Sequence, residues 1–323
     1  MAEITTDIDR ACEYLAAGEL VAIPTETVYG LAGNALDVNA VAAVFDAKQR
    51  PSFDPLIIHV PGLSAARRYV QSIPAPLAAL AEAFWPGPLT LLLARKDIIP
   101  DLVTAGLSRV AVRVPAHPLT QRLLGSLDFP LAAPSANPFG YISPTRPDHV
   151  QAQLGDRVRA ILDGGPSEIG LESTIVGMEG DDLVVYRLGG LAVDEIESVV
   201  GPVSVRTHST SNPAAPGQLA RHYSPGTPFV LGDRRVLCDR FLAEGRKVGS
   251  LGFTDALPEI PAHRQRVLSA NADLAEAASN LFTALRELDA MDVDIIVAEL
   301  LPERGLGLAI NDRLRRAAAK SSQ

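Results

Sequence analysis

Residues 20–32 read Leu-Val-Ala-Ile-Pro-Thr-Glu-Thr-Val-Tyr-Gly-Leu-Ala. The apolar run 20–23 is strand-sized, Pro24 ends it, and Thr25, Glu26, Thr27 and Tyr29 follow at once. An apolar strand opening into a loop of hydroxyl and carboxylate groups is how a βα connection presents a site at the edge of a sheet. The pattern recurs outward from this stretch. Strand-like runs fall at 56–60, 89–94, 110–114, 131–133, 160–162, 174–176 and 184–186, and helical patterns at 8–17, 38–48, 63–70, 77–84, 119–126 and 193–200. Alternation of this kind predicts an α/β fold. The last strands follow one another without helices between them, so the twisted sheet is expected to be mixed and not purely parallel.

The 323-residue chain has room for two domains, and its charge changes along its length. Residues 1–205 hold 14 basic and 24 acidic groups, and residues 206–323 hold 15 and 14. The change coincides with T-H-S-T-S-N-P-A-A-P-G at 207–217, which suits neither a helix nor a central strand. The expected division is a catalytic domain at 1–205, a linker at 206–227 and a smaller three-layer α/β domain at 228–323. In the last, strands are expected at 229–231, 248–253 and 295–299, and helices at 235–243, 272–288 and 308–318.

Composition excludes several function classes. A net charge of −9 argues against a protein that lives on nonspecific contact with nucleic acid or anionic membranes. No apolar run reaches the length of a membrane span, and the N-terminus lacks a basic-then-apolar leader pattern. Cys12 and Cys238 stand 226 positions apart with no metal spacing, which fits a reducing, cytoplasmic setting. Walker A, G-x-G-x-x-G, H-E-x-x-H, C-x-x-C and G-x-S-x-G patterns are absent, so P-loop, zinc-hydrolase and serine-hydrolase chemistry are disfavoured.

Several polar groups stand in apolar surroundings. Lys48 and Arg50 in K-Q-R-P end a helical pattern, where cations complementing the helix dipole are the plainer reading. His59 sits in the apolar run D-P-L-I-I-H-V (54–60), where a hydrogen-bonded core histidine is commoner than a ligand. Arg113 lies in V-A-V-R-V-P (110–115), and a guanidinium inside a strand needs a carboxylate or phosphate partner. The loop A-P-S-A-N-P-F-G-Y-I-S-P-T (133–145) is rigid and polar, D-G-G-P-S (163–167) can turn backbone amides toward an anion, and E-S-T-I-V (172–176) with Y-R-L-G (186–189) sets Ser173, Thr174 and Arg187 at strand ends. Should these cations converge, they form a cationic pocket on an acidic protein, suited to a polyphosphate ligand.

The ordered set P-T-E-T-V-Y-G-L, K-Q-R-P, P-L-I-I-H-V, F-W-P-G-P-L-T (84–90), V-A-V-R-V-P-x-H-P, P-S-A-N, S-P-T, D-G-G-P-S and E-S-T-I-V covers 24–176 almost continuously. It resembles the L-threonylcarbamoyladenylate synthase family, and P-G-x-x-x-R-H-Y-S-P at 216–225 resembles the linker of its two-domain form. The resemblance implies a YrdC-like domain with a cationic cavity, followed by a Rossmann-like domain. It implies that L-threonine, bicarbonate and ATP give threonylcarbamoyl-AMP, pyrophosphate and water, a nucleotidyl transfer that begins tRNA t6A modification. Mg2+ would come mainly with the ATP phosphates, and a t6A transferase complex would act downstream, without stable tRNA binding by this chain. Thr27, His59, Arg113, Ser135 and Ser173 would hold threonine. Lys48, Arg50, Asp54, Ala133, Asn137, Ser143, Thr145, Arg187 and Tyr223 would contact ATP, and Arg221, His222 and Tyr223 would fold back as a lid. No protein nucleophile is expected; Lys48, Arg50 and Arg113 would act by positioning.

The chain departs from the family pattern where Asp54 replaces the usual asparagine, Leu188 a common proline, and Gln218-Leu219-Ala220 a methionine-led run. Two other functions compete with this one. An RNA-binding or ribosome-assembly factor predicts a basic, aromatic-rich face, whereas aromatics make up only 5% here. A carbamoyltransferase working through a carbamoyl-adenylate would use carbamoyl phosphate in place of threonine.

Overall fold

The computed structural model describes residues 1–207, 215 and 222–319, which fall into two units. The first holds Met1–Phe139, Pro144–Glu168 and the described part of Glu172–Leu219; the second holds Gly140–Ser143, Ile169–Leu171 and the described part of Ala220–Gln323. The division is therefore not the single cut in the chain that the charge change suggested. Within the second unit, Arg286 donates to the carbonyls of Ile142 and Ser143, and the Tyr141 hydroxyl donates to Asp289 Oδ2 at 2.5 Å. These bonds tie the short early segment to a helix well over a hundred residues later in the chain.

The first unit is built on strands β1 (Glu3–Thr5), β2 (Val21–Ile23), β3 (Gly30–Asn34), β4 (Ile57–His59), β5 (Leu89–Ala94), β6 (Arg109–Arg113), β7 (Leu131–Ala132), β8 (Ala160–Leu162), β9 (Thr174–Glu179), β10 (Asp182–Arg187) and β11 (Ser204–Val205). Among the described residues they form one sheet in the order β1-β8-β2-β3-β7-β4-β6-β5-β9-β10-β11. Pairing is parallel for β4 with β6 and β5 with β9, and antiparallel for β2 with β3, β5 with β6 and β9 with β10, so the sheet is mixed.

The helices are α1 (Ile8–Ala16), α2 (Val38–Lys48), α3 (Leu63–Ala66), α4 (Ala75–Phe84), α5 (Asp101–Thr104), α6 (Pro118–Ser126), α7 (Pro147–Leu154) and α8 (Val193–Val200). Helix α1 shows the local logic: Asp7 caps it by accepting from the Arg10 amide at 3.1 Å, and Ile8, Ala11 and Leu15 bury one face at helical spacing. Two expectations are corrected here. The 20–32 stretch is not a βα connection, because its polar turn leads into β3, which returns antiparallel to β2. The helix expected at 63–70 closes after one turn, at Ala66.

The second unit adds β12 (Phe229–Leu231), β13 (Val248–Gly252), β14 (Gln265–Val267) and β15 (Ile295–Ala298), all parallel, in the order β12-β15-β13-β14. Its helices are α9 (Arg234–Ala243), α10 (Leu274–Asp289) and α11 (Leu306–Ala317). The crossover from β12 through α9 to β13 and that from β14 through α10 to β15 run in opposite directions along the sheet. Right-handed crossovers then place α9 and α10 on opposite faces. Ile295 and Val297 share a core with Cys238 and Phe241 of α9, and the pleat turns Ile296 and Ala298 the other way, toward α10 and the α11 that packs on it. No helix of the described residues is long and apolar enough to cross a membrane.

Candidate active site

Strand register gathers the first group of side chains. His59 of β4 stands opposite Arg113 of β6, and Arg113 stands opposite Thr90 of β5. The turn 24–29 supplies the rest. Thr25 Oγ1 accepts from the amides of Thr27 and Val28, each at 3.2 Å, and lies 2.8 Å from Thr27 Oγ1. The folded turn aims Glu26 and Thr27 at Arg113, which donates from NH2 to Glu26 Oε1 at 2.5 Å, from NH1 to Thr27 Oγ1 at 2.8 Å and from Nε to the Gly87 carbonyl at 3.3 Å. The Ala116 amide fixes the other Glu26 oxygen at 2.9 Å. Arg113 thus has the carboxylate partner its strand position demands, and two of its N–H groups have no partner among the described residues.

Ser173 links this group to Arg187. Its hydroxyl lies 2.7 Å from Thr90 Oγ1, and Arg187 donates from Nε and NH2 to the Ser173 carbonyl at 3.0 and 2.9 Å and from NH2 to its hydroxyl at 3.0 Å. A register shift between Val185 and Arg187 accompanies the turn of the arginine onto β9. His59 is buried; its Nδ1 lacks a hydrogen-bond partner of good geometry among the described residues, and the backbone of Ile57 and Leu131 lies against the ring. Burial first, and then the Arg113 charge, push its pKa down to about 3. The imidazole beside Arg113 is therefore neutral near pH 7.

A second group forms where α2 ends. Lys48 is only 1% exposed, and its Nζ donates to the carbonyls of Ser135 and Asn137, both at 2.6 Å. The dipole reading is overturned for this residue: its partners belong to the 133–145 loop, not to its own helix. Burial, and then repulsion from Arg50, hold its pKa well below the lysine range, with Asp54 and Glu172 pulling the other way. Arg50 NH2 approaches Asp54 Oδ2 at 2.9 Å and donates to the Pro55 carbonyl at 2.8 Å, while Nε donates to the Asp54 carbonyl at 3.1 Å. Neither Asp54 oxygen accepts a hydrogen bond of good geometry, so its link to Arg50 is an ion pair made by proximity. The Asn137 side chain is fully buried, Ser135 forms a bridge with Gly30, and Ala133 donates its amide to Ile57 at 3.1 Å.

Other expected residues have partners of their own. Thr145 receives the Ser167 amide at 2.8 Å and gives its own to His149 Nδ1 at 3.3 Å. The D-G-G-P-S amides are already engaged, which corrects their reading as an anion cradle. Gly164 N–H donates to the Tyr29 hydroxyl at 3.2 Å, that hydroxyl donates to the Gly165 carbonyl at 2.7 Å, and Gly165 N–H goes to Asp163 at 2.9 Å. Ser143, His222 and Tyr223 belong to the second unit. There the Tyr223 ring stacks on Phe282 at 5.5 Å, with the guanidiniums of Arg313 and Arg316 at 5.2 and 4.9 Å and His222 edge-on at 4.2 Å. Arg221 lies outside the described residues.

Glu26, Thr90 and Glu172 stand in the quoted motifs, but the sequence assigned them no partner or role. The signal for Glu26 was present, since Arg113 needed a carboxylate and Glu26 stands in the adjoining motif; Thr90 closes the motif F-W-P-G-P-L-T, but nothing local announced its contact with Ser173. Among the described residues no three His, Cys, Asp or Glu side chains converge to hold a metal, and Glu26 and Asp54 are already paired with arginines. What the geometry offers is a set of buried cations, hydroxyls and a neutral imidazole able to grip carboxylate and phosphate groups.

Comparison with known proteins places the chain among relatives along nearly its whole length. A family profile described as "Telomere recombination" matches residues 13–189, and one described as "Threonylcarbamoyl-AMP synthase, C-terminal domain" matches 191–319. The chain is 40% identical over 321 residues to the threonylcarbamoyl-AMP synthase of Pyrococcus abyssi, covering 95% of this chain and 93% of that one. It is 40% identical over 320 residues to that of Bacillus subtilis, covering 96% and 92%. The crystal structure of P. abyssi Sua5 complexed with L-threonine superimposes with a TM-score of 0.91 at 39% identity, over 98% of this chain and 97% of that one.

Proposed function

The chain belongs to the threonylcarbamoyl-AMP synthase family, and from that premise we propose that it condenses L-threonine, bicarbonate and ATP into threonylcarbamoyl-AMP, releasing pyrophosphate and water. The observation that carries this reading is Arg113: buried, charge-balanced by Glu26, and still holding two N–H groups beside Thr27, Ser173 and a neutral His59. Guanidinium donors left over in a fixed plane suit a carboxylate, here that of threonine. The hydroxyls of Thr27, Ser135 and Ser173 would meet its ammonium and side chain. A neutral His59 avoids repelling that ammonium.

In the proposed sequence the threonine amine attacks bicarbonate, losing water to give an N-carboxylate. One oxygen of that group then attacks the α-phosphorus of ATP, and the bond to the β-phosphate breaks to release pyrophosphate. No residue need form a covalent bond. Lys48, Arg50 and Arg187, with Asn137 nearby, would bind the nucleotide and stabilise the charge that moves onto pyrophosphate, as positioning and preorganised electrostatics do in phosphoryl transfer. Mg2+ would arrive on the ATP phosphates, and no step here depends on a protein-bound ion. The mixed anhydride so formed is reactive, and its consumer would be a transferase acting on tRNA in the cytoplasm.

The test is pyrophosphate release from ATP and Mg2+ with threonine and bicarbonate omitted in turn, and mass spectrometry of the fresh mixture. Release that needs both, with the mass of threonylcarbamoyl-AMP, is expected. Release without threonine, or none from folded protein, would overturn the proposal.

A further inference from the structure

The second unit contains a cavity of about 500 Å³ that the proposed reaction does not use. It lies beyond the carboxyl ends of β12, β13 and β15, between Leu231, Asp255 and Glu299. After β12 the chain leaves to α9 on one face of the parallel sheet; after β15 it leaves to α11 on the other. A crevice between neighbouring strands whose connections part in this way is where open α/β sheets bind ligands. Its volume is in the range of small-molecule sites.

The lining has a definite chemistry. Arg234 is 4% exposed and forms its floor, with NH2 2.8 Å from Asp255 Oδ1, Nε 3.1 Å from Glu299 Oε1 and NH1 3.3 Å from Ser250 Oγ. The Nε–Glu299 approach lacks hydrogen-bond geometry. Asp233 caps α9 through Oδ1, which accepts from Val236 at 3.1 Å, and Glu299 Oε1 accepts from the Phe253 amide at 3.0 Å. Each of the three carboxylates therefore has one oxygen engaged, while Asp233 Oδ2, Asp255 Oδ2 and Glu299 Oε2 take no donor among the described residues. Three carboxylates against Arg234 and Arg235 leave the lining at net −1, which disfavours a polyphosphate. Leu257 and Leu300 supply an apolar wall, and Leu300 is 43% exposed.

We propose that this cavity binds an uncharged nucleoside, its ribose diol donating to the unengaged carboxylate oxygens and its base lying against the leucines. A vicinal diol provides two donors on adjacent carbons, and acidic groups at the ends of parallel strands are suited to receive them. The leucines read a flat apolar surface and leave the base unspecified.

The test uses the full-length protein with labelled leucine methyl groups, titrated by NMR with adenosine as the probe nucleoside, then with 2′-deoxyadenosine and ATP. Adenosine is expected to shift the Leu257 and Leu300 methyl resonances, and 2′-deoxyadenosine to bind there about tenfold or more weakly, the loss for one hydrogen bond to a charged group. Glu299→Gln keeps the acceptor for Phe253 but is expected to weaken adenosine by a similar factor, and Leu300→Glu at the exposed wall to abolish the shifts. Pyrophosphate release by both variants is expected to stay unchanged, which also checks folding. Shifts confined to leucines of the first unit, equal affinity for the deoxynucleoside, or tighter binding of ATP than of adenosine at these methyls would overturn the proposal.

Discussion

Arg113 and Lys48 are both buried cations of the acidic first unit, and their surroundings balance them differently. Arg113 is matched by a carboxylate, Glu26, at 2.5 Å. Lys48 has two carbonyl oxygens and no carboxylate within ion-pair distance among the described residues, and its pKa is depressed accordingly. The first is a finished electrostatic fixture that presents leftover donors. The second is an amine whose charged form lacks a carboxylate and would be stabilised by an arriving anion. The difference matches the proposed roles: fixed recognition of threonine by one, and a phosphate-responsive contact by the other.

Stability separates the two most sharply. Glu26→Ala strands a buried guanidinium and is expected to cost about 3–5 kcal/mol in denaturant unfolding. Lys48→Met removes a buried amine and orphans two carbonyls, with an expected cost of about 1–3 kcal/mol. Equal losses would erase the distinction.

The pH dependence comes next in size. His59 has an ordinary value of 6.5 and is pushed down to about 3 in the fold, next to the charges of Arg113 and Arg187. Above 6.5 neither state is protonated, so its contribution is complete. As pH falls from 6.5 toward 3 the unfolded chain takes up a proton that the folded one refuses, and stability drops by up to about 1.4 kcal/mol per pH unit. Equilibrium unfolding of His59→Asn across that range should show a flatter curve.

A smaller effect is expected at Asp54, whose carboxylate partly cancels Arg50. Asp54→Asn, the residue usual in the family, should lower KM for ATP by up to about tenfold and leave KM for threonine nearly unchanged. A rise in the ATP value would mean that the carboxylate aids nucleotide binding.

Much of this comparison was legible in the sequence because burial of charge has consequences that a strand pattern exposes. Arg113 inside V-A-V-R-V required a partner, and the mixed sheet followed from successive strands without helices. Lys48 was misread because position at a helix end says nothing of the loop, 87 residues later, that supplies its carbonyls. Strand β3 escaped notice because G-L-A-G-N lacks the β-branched residues that mark strands, and β14, Gln265–Val267, is short and polar. The Tyr29 hydroxyl occupying the Gly164–Gly165 amide and carbonyl depends on a contact 135 residues apart, which no local motif encodes.

The most direct test of the division of labour is steady-state pyrophosphate release by Arg113→Ala and Lys48→Met, with KM measured for threonine and for ATP. The account predicts that Arg113→Ala raises the threonine KM at least tenfold more than the ATP value, and that Lys48→Met does the reverse, each contact being about 1.5–3 kcal/mol. Parallel changes in both constants for both variants would contradict it.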